Sequence, residues 1–305
     1  MNTLLYTALA LIAFAGNSIL CRLALGEQSI DAASFTIIRL GSGILMLMVI
    51  MPLTAMGKTQ SLRDSTAKGS WKASLMLFLY AVCFSYAYIS LETGVGALIL
   101  FGAVQITIIL IGIHAGNKLH ALEWAGVFIA FGGFIYLVLP GLATPSLWGF
   151  VLMLIAGIAW GLYTLAGKSS QNPLADTAFN FLRTAPFVVV LGIITLSSAH
   201  ITVQGIILAV LSGAVASGLG YTIWYMALKG ITALQAAVLQ LLVPVIAAAG
   251  GILFADETLT LRLILSGIAI LGGILLVILG RQVVNRKGAS DGLSRSDRHQ
   301  IDRTH

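Results

Sequence analysis

Two arginines lie within long apolar segments and are the residues best suited to chemistry in this sequence. Arg39 and Arg183 each follow an aspartate, Asp31 or Asp176, by about two helical turns. A charge in hydrocarbon costs roughly 2.5 kcal/mol or more on insertion scales, so such residues are retained for a reason. One interpretation is that they attract an anionic or zwitterionic solute or change partners at a gate. The other is that each snorkels to the interface or bonds to helix-end carbonyls, with the aspartates acting as N-terminal caps.

Uncharged amides form a second group of candidates within apolar segments: Asn17, Gln105, Asn180, Gln235 and Gln240. Each is suited either to binding a solute or to bonding a neighbouring helix. Pro244 follows Gln240 by four residues and would free its carbonyl group, so a bent helix is predicted there. A bent helix beside a cavity is a candidate gate.

Aromatic side chains group at three places: Trp160 with Tyr163; Tyr221 with Trp224 and Tyr225; and Tyr80 with Tyr86 and Tyr88. They either line a cavity suited to a flat or apolar side chain or form belts at the membrane interface. Depth within the segment favours the cavity for Trp160 and Tyr163. A position near the helix end favours the belt for Trp224 and Tyr225.

The elements that position these residues are transmembrane helices. Of 305 residues, 58% are hydrophobic and only 9% are charged, and the mean hydropathy is +0.99. These values exclude an ordinary soluble domain. Because a span needs roughly 20 apolar residues, we predict an all-α polytopic membrane protein with ten helices, near 3–25, 33–56, 72–91, 94–115, 119–139, 146–168, 176–198, 203–228, 231–254 and 258–281.

The cations predict the orientation of these helices. Most Lys and Arg residues fall in the 57–72 loop, in alternate later connections and in the tail from Arg281, whereas Arg22 and Arg262 alone lie on the other side. By the positive-inside rule, both termini face the cytoplasm. Topology therefore accounts for the net charge of +6 without nucleic acid. The polar tail 282–305 is predicted to be disordered.

The chain reads as two repeats, residues 1–140 and 146–281. Phe35 to Arg39 matches Phe179 to Arg183, Ala97 to Gln105 matches Ala233 to Gln240, and Gly126 with Gly132-Gly133 matches Gly267 with Gly272-Gly273. With five helices each, the repeats must lie in opposite orientations. Inverted repeats are typical of transporters that work by alternating access.

The sequence resembles those of the drug/metabolite transporter superfamily, in its ten-helix branch with EamA-type repeats. The resemblance covers residues 3 to 281 and is carried by Ala159-Trp160-Gly161, by the two Phe-x-x-x-Arg segments, and by Val243-Pro244 through Phe254 to Thr260 and on to Gly272-Gly273. It implies a transporter of small organic molecules, most commonly an exporter of amino acids or other metabolites. The first half departs from the pattern, because Gly116-Asn117 stands where the second half has Glu257.

The leading hypothesis is an inner-membrane exporter of small metabolites, with amino acids as the best single class. Export of drugs or other metabolites is an alternative, as is a non-transporting membrane protein or an intramembrane enzyme. No mid-span aspartate pair, metal-ligand spacing or Ser-His pair indicates an enzyme, a metal or a cofactor. The expected partners are the solute and the lipid bilayer. Proton coupling is left open because Glu92, Glu123 and Glu257 lie near span boundaries, and the oligomeric state is also open.

Overall fold

The chain folds into a bundle of apolar helices. A computed structural model describes residues 2–55, 69–116, 119–139, 145–167, 170, 172–228, 230–231, 236 and 239–280. The cationic stretch 56–68, Gln235 and the predicted tail 282–305 lie outside these ranges. The described helices are α1 (Asn2–Gly26), α2 (Ala32–Ala55), α3 (Trp71–Tyr88), α4 (Thr93–His114), α5 (Ala121–Val138), α6 (Leu147–Gly167), α7 (Pro173–Leu182), α8 (Ala185–Thr195), α9 (Val203–Val210), α10 (Gly220–Leu228), α11 (Val243–Phe254) and α12 (Leu261–Gly280).

These helices confirm the prediction of a multi-pass membrane protein. By length and composition, seven described segments can cross a membrane: Thr3–Gly26, Ala32–Leu53, Thr93–His114, Leu147–Gly167, Leu174–Ser198, Val203–Trp224 and Leu261–Gly280. The predicted ten spans would also require α3 and the two shorter apolar helices near α5 and α11. The ten-helix inverted repeat therefore stays a prediction.

The predicted span at 176–198 is interrupted in the middle. It consists of α7 and α8, which are separated at Arg183 and Thr184. Pro186 lies in the first turn of α8, where its missing N–H and fixed φ are tolerated. The same proline cannot bond back to Leu182, so the break follows from the sequence.

The predicted span at 231–254 is also interrupted. A turn at Leu241 and Leu242 precedes α11, and Pro244 lies in the first turn of that helix. This places a break where the missing N–H of Pro244 leaves the Gln240 carbonyl without its usual partner.

A π-helical segment, Leu211–Leu219, connects α9 to α10. Each π turn is wider than an α turn, and such segments are frequent at functional sites. Gly213 lies against the backbone carbonyl of Arg39 in α2, closer than a side chain would permit. The segment and α2 therefore pack backbone to backbone, as small residues allow within membranes.

Helices α5 and α12 pack closely and run antiparallel. A Cβ atom on Gly126 would lie 2.5 Å from the carbonyl oxygen of Gly273 and 2.9 Å from Val277. Further along α5, a Cβ atom on Gly133 would lie 2.9 Å from Ala269. Residues later in α5 therefore contact residues earlier in α12.

Candidate functional site

Arg39 is buried in the helical bundle, and part of its guanidinium makes no hydrogen bond. Its side chain is only 3% exposed, and its Nη2 atom donates a 2.9 Å hydrogen bond to the Tyr80 hydroxyl. The guanidinium carbon lies 4.7 Å from the centre of the Phe84 ring and 5.2 Å from that of Tyr80. Within the described part of the chain, Nη1 is buried without a hydrogen-bond partner. An unsatisfied buried donor costs free energy, and an acceptor that bound this atom would remove that cost.

Aromatic rings from three helices meet beside Arg39. The Trp160 ring centre lies 4.8 Å from that of Tyr80, 5.2 Å from that of Tyr163 and 5.4 Å from that of Tyr221. Pairs at these separations attract one another beyond the effect of burial alone. We call Arg39, Tyr80, Trp160, Tyr163 and Tyr221 the aromatic cluster. Four of these five residues were predicted to belong to the site, and the structure brings them together.

The rings that complete this surrounding are Tyr80, for which the sequence left a cavity or a membrane belt open, and Phe84 and Phe14, which the sequence did not single out. Tyr80 and Phe84 lie four residues apart on one face of α3, a spacing that signals a shared face. Phe14 of α1 packs on Tyr221, with a centroid distance of 5.8 Å, and on Trp224, with 5.7 Å. Trp224 is 7% exposed, so the prediction that it belongs to an interfacial belt is wrong. Its packing on Phe14 outweighs its position near a helix end.

Asn17 links α1 to the π-helical segment. Its Oδ1 atom accepts hydrogen bonds from the hydroxyls of Ser212, at 2.8 Å, and Ser217, at 3.4 Å. All three side chains are buried. This is the interhelical bonding that was the alternative to a solute-binding role.

Asn180 holds the start of α3 against α7. Its Oδ1 atom accepts a 2.8 Å hydrogen bond from the Ser70 backbone N–H, and Asp176 accepts one of 2.8 Å from the Gly69 N–H. The predicted capping role of Asp176 needs correction, because Asn172 is the N-cap of α7. Asp176 lies in the first turn and connects to the other half instead.

Asp31 is the N-cap of α2, as predicted. Its carboxylate accepts hydrogen bonds of 2.9 Å from the backbone N–H groups of Ser34 and His200. Burial raises the pKa of this carboxyl, but hydrogen bonds from Ser34 and His200 outweigh burial and leave the pKa below its usual value. Asp31 thereby ties the connection between α1 and α2 to the segment before α9.

Arg183 is half-buried at the break between α7 and α8. Its Nη1 atom donates a 3.4 Å hydrogen bond to the Phe179 carbonyl, and its guanidinium carbon lies 6.0 Å from the ring of the same residue. These contacts fit the structural interpretation, in which the arginine bonds to helix-end carbonyls. The two arginines therefore have different surroundings.

The remaining predicted residues lie elsewhere along the breaks and helices. Gln105 is buried on α4, Gln240 is half-buried just before the break at Leu241, and Pro244 is buried in the first turn of α11. In the described ranges, no three His, Cys, Asp or Glu side chains come together as they would around a metal ion.

Comparisons with known proteins bear on both sequence and fold. Residues 147–279 match the EamA-like transporter family. The chain is 48% identical to an uncharacterized protein of Pseudomonas aeruginosa, over 94% of this chain and 99% of that one. It is 26% identical to an uncharacterized transporter of Archaeoglobus fulgidus, over 81% of this chain and 87% of that one.

Two further proteins are similar to this chain. A probable amino-acid metabolite efflux pump of Escherichia coli is 26% identical, over 66% of this chain and 72% of the pump. A solved crystal structure at 16% identity superposes with a TM-score of 0.58, over 89% of this chain and 98% of that one. At this identity, the likeness concerns the fold alone.

Proposed function

The chain belongs to the EamA-like transporter family of the drug/metabolite transporter superfamily, and we propose that it exports amino acids by alternating access. Membership makes it a membrane transporter of small molecules and not an enzyme. The proposal adds the substrate class, the direction and the mechanism.

The observation that carries the substrate class is the unpartnered Nη1 atom of Arg39. Guanidinium groups form short, charge-assisted hydrogen bonds to carboxylates. The faces of Trp160 and Tyr221 provide negative electrostatic potential that attracts an ammonium group. A buried guanidinium beside stacked aromatic faces thus suits a zwitterion, whose two charges need opposite surroundings. The naming of an Escherichia coli relative as a probable amino-acid metabolite efflux pump supports the same class.

The position of the aromatic cluster supports alternating access. Arg39 and Tyr80 belong to the predicted first repeat, whereas Trp160 and Tyr221 belong to the second. A solute held between two halves is exposed first to one side and then to the other when the halves tilt.

Two features of the bundle support inverted halves that move. The antiparallel packing of α5 on α12 is what opposite orientation of the repeats requires of their last helices. The breaks at Arg183 and at Leu241 divide two spans into shorter pieces, and discontinuous helices of this kind line transport sites. The predicted pathway or gate roles of Gln105, Gln240 and Pro244 belong to this proposal, whereas the contacts of Arg183, Asn17 and Asn180 favour structural roles.

The proposed orientation in the inner membrane, with both termini in the cytoplasm, rests on the distribution of cations. Lysines and arginines concentrate on the side predicted to be cytoplasmic. Residues 281–305 of the sequence contain six of the 17 basic residues.

Counterflow in proteoliposomes tests the proposal. Vesicles that contain the purified protein are loaded with unlabelled solute, and the uptake of labelled amino acids, nucleobases or cationic drugs is measured. We expect exchange of amino acids but not of their amides, which lack the carboxylate. Exchange of drugs with no exchange of amino acids would instead favour the drug exporter, and failure of every solute would overturn the proposal.

A further inference from the structure

An ion pair joins the end of α1 to the segment that follows α11. Arg22 Nε lies 3.3 Å from Glu257 Oε1, and the two side chains are 25% and 8% exposed. Arg22 Nη1 also donates a 3.4 Å hydrogen bond to the Tyr88 carbonyl at the end of α3. One guanidinium therefore connects three parts of the bundle.

The same carboxylate binds the start of α4. Glu257 accepts hydrogen bonds from the Thr93 backbone N–H, at 2.8 and 2.9 Å to its two oxygens, and from the Thr93 hydroxyl at 3.0 Å. Glu92, the N-cap of α4, makes no side-chain capping bond. Glu257 supplies an acceptor for the first N–H group of the helix, and its negative charge suits the positive end of the helix.

Backbone constraints hold Glu257 in place. Asp256 adopts a left-handed conformation with φ of 50°, which is uncommon for a residue other than glycine. The Gly251 carbonyl accepts hydrogen bonds from both Ala255 and Glu257, at 2.9 and 3.2 Å. This sharp reversal after α11 turns the carboxylate back toward Thr93. No room exists for a side chain on Gly251, because it would collide with that carboxylate.

We infer that Arg22, Thr93 and Glu257 form a latch that closes one side of the transport pathway. The latch joins the ends of α1, α3 and α4, from the first half, to the end of α11, from the second. Any movement that separates the halves on this side breaks the ion pair and the cap of α4 together. The inference rests on the alternating access proposed above, and it adds the residues that hold one closed state.

A second carboxylate, that of Glu92, lies near Arg22 and Glu257. Glu92 lies in the connection between α3 and α4, where burial first and then the charge of Glu257 raise its pKa, while Arg22 lowers it. Two carboxylates thus lie near one guanidinium, and Glu257 holds the direct contact. Removal of the Glu257 charge leaves Arg22 without its ion-pair partner and α4 with a weaker cap.

The chain contains its own reporter for the opening of the latch. Cys21 immediately precedes Arg22 and is fully buried, and the only other cysteine is Cys83. In a Cys83→Ala background, Cys21 is the single thiol. A membrane-impermeant methanethiosulfonate reagent, added to oriented vesicles from either side, reacts with it at a rate set by exposure from that side.

The test compares Glu257→Gln with a matched control. We expect Glu257→Gln to raise the labelling rate about tenfold from the latch side, which is the non-cytoplasmic side in the predicted topology; this is the change in open population that corresponds to 1.4 kcal/mol. Arg22→Gln should act similarly, and the double variant should be no faster than either single one, because both break the same contact. The control is Glu27→Gln, which removes a charge at the same end of α1 where Glu27 accepts a 3.1 Å hydrogen bond from Gln204. It should leave the rate unchanged.

Further measurements separate the latch from loss of folding. Thr93→Val removes one hydroxyl donor and leaves the ion pair, so it should give a smaller increase without unfolding the protein. Unchanged labelling in Glu257→Gln and Arg22→Gln, or an increase only from the opposite side, would overturn the latch. Counterflow by the Cys83→Ala protein tests the proposed function separately: flux without any change in labelling refutes the latch alone, and loss of all flux refutes the transport proposal.

Discussion

Replacement of Arg39 by methionine should abolish tight solute binding while it preserves the fold. The change removes the unpartnered Nη1 donor together with the charge, and methionine fills much of the same space. A hydrogen bond to a charged group contributes about 1.5 to 3 kcal/mol. The affinity for an amino acid should therefore fall about 10- to 150-fold, since each 1.4 kcal/mol corresponds to a factor of ten.

Without solute, the effect on stability should be small. The substitution loses the Tyr80 hydrogen bond, about 1.5 to 3 kcal/mol for a charged donor, and the attraction to two rings, about 1 to 2 kcal/mol. This loss is offset because a buried and incompletely bonded charge costs several kcal/mol in desolvation. Arg39→Met should therefore be about as stable as the original protein when no solute is bound.

Two measurements on detergent-purified protein check this prediction: calorimetric titration with an amino acid, and thermal unfolding without it. Arg183→Met is the matched control, because it removes the other arginine from a half-buried helix end. Its affinity should stay within about twofold, a change well below that of one charged hydrogen bond. If Arg39→Met bound amino acids normally, or if its solute-free form were much less stable, the assignment of Arg39 as a carboxylate anchor would be wrong.

Three other substitutions test the surroundings of the site. Gly213→Ala should destabilise the protein by about 1 to 3 kcal/mol in denaturant or thermal unfolding, because the new methyl group would collide with the Arg39 carbonyl; Gly272→Ala, where nothing lies within 4 Å, should not. Asn180→Ala should lower stability by about 0.5 to 1.5 kcal/mol through loss of its hydrogen bond from the Ser70 N–H without a change in amino-acid affinity, and a large loss of affinity at intact stability would instead place it in the binding site. Because the pKa of Asp31 is lowered in the folded protein, its ionisation stabilises the fold at neutral pH, and this contribution is lost as the pH falls below the usual aspartate pKa of about 3.9 and through the folded value. Unfolding of Asp31→Asn, followed as the pH is lowered through this range, should depend less on pH than that of the original protein.

In this protein, the sequence predicts how deep a residue lies in the membrane better than it predicts which residues that residue contacts. Hydropathy locates the helices, and proline predicts the bend near Pro244. The break at Arg183 was not predicted, although Pro186 marks it by the same rule. The burial of Arg39 and the partial burial of Trp160 follow from their places within long apolar segments.

The neighbours are harder to predict because a membrane helix is apolar on both its buried and its lipid-facing sides. The pattern that distinguishes a core face from a solvent face in soluble proteins is then weak. Phe84 and Phe14 look like ordinary lipid-facing residues in the sequence, yet they complete the surroundings of Arg39 and Tyr221. Asp176 resembles a cap by position, and its bond to Gly69 joins residues 107 positions apart. No local pattern contains that information.

The π-helical segment Leu211–Leu219 sets the angular position of the residues that follow it in the same span. An α-helix rotates by about 100° per residue, so one extra residue held in a wider turn rotates all later side chains by about that angle. Tyr221 comes two residues after the segment and contacts Trp160 in this register. Deletion of a single residue from the segment would keep a continuous apolar helix but direct Tyr221 away from Trp160. The number of residues in this stretch, and not only their types, therefore specifies which aromatic rings meet at the centre of the molecule.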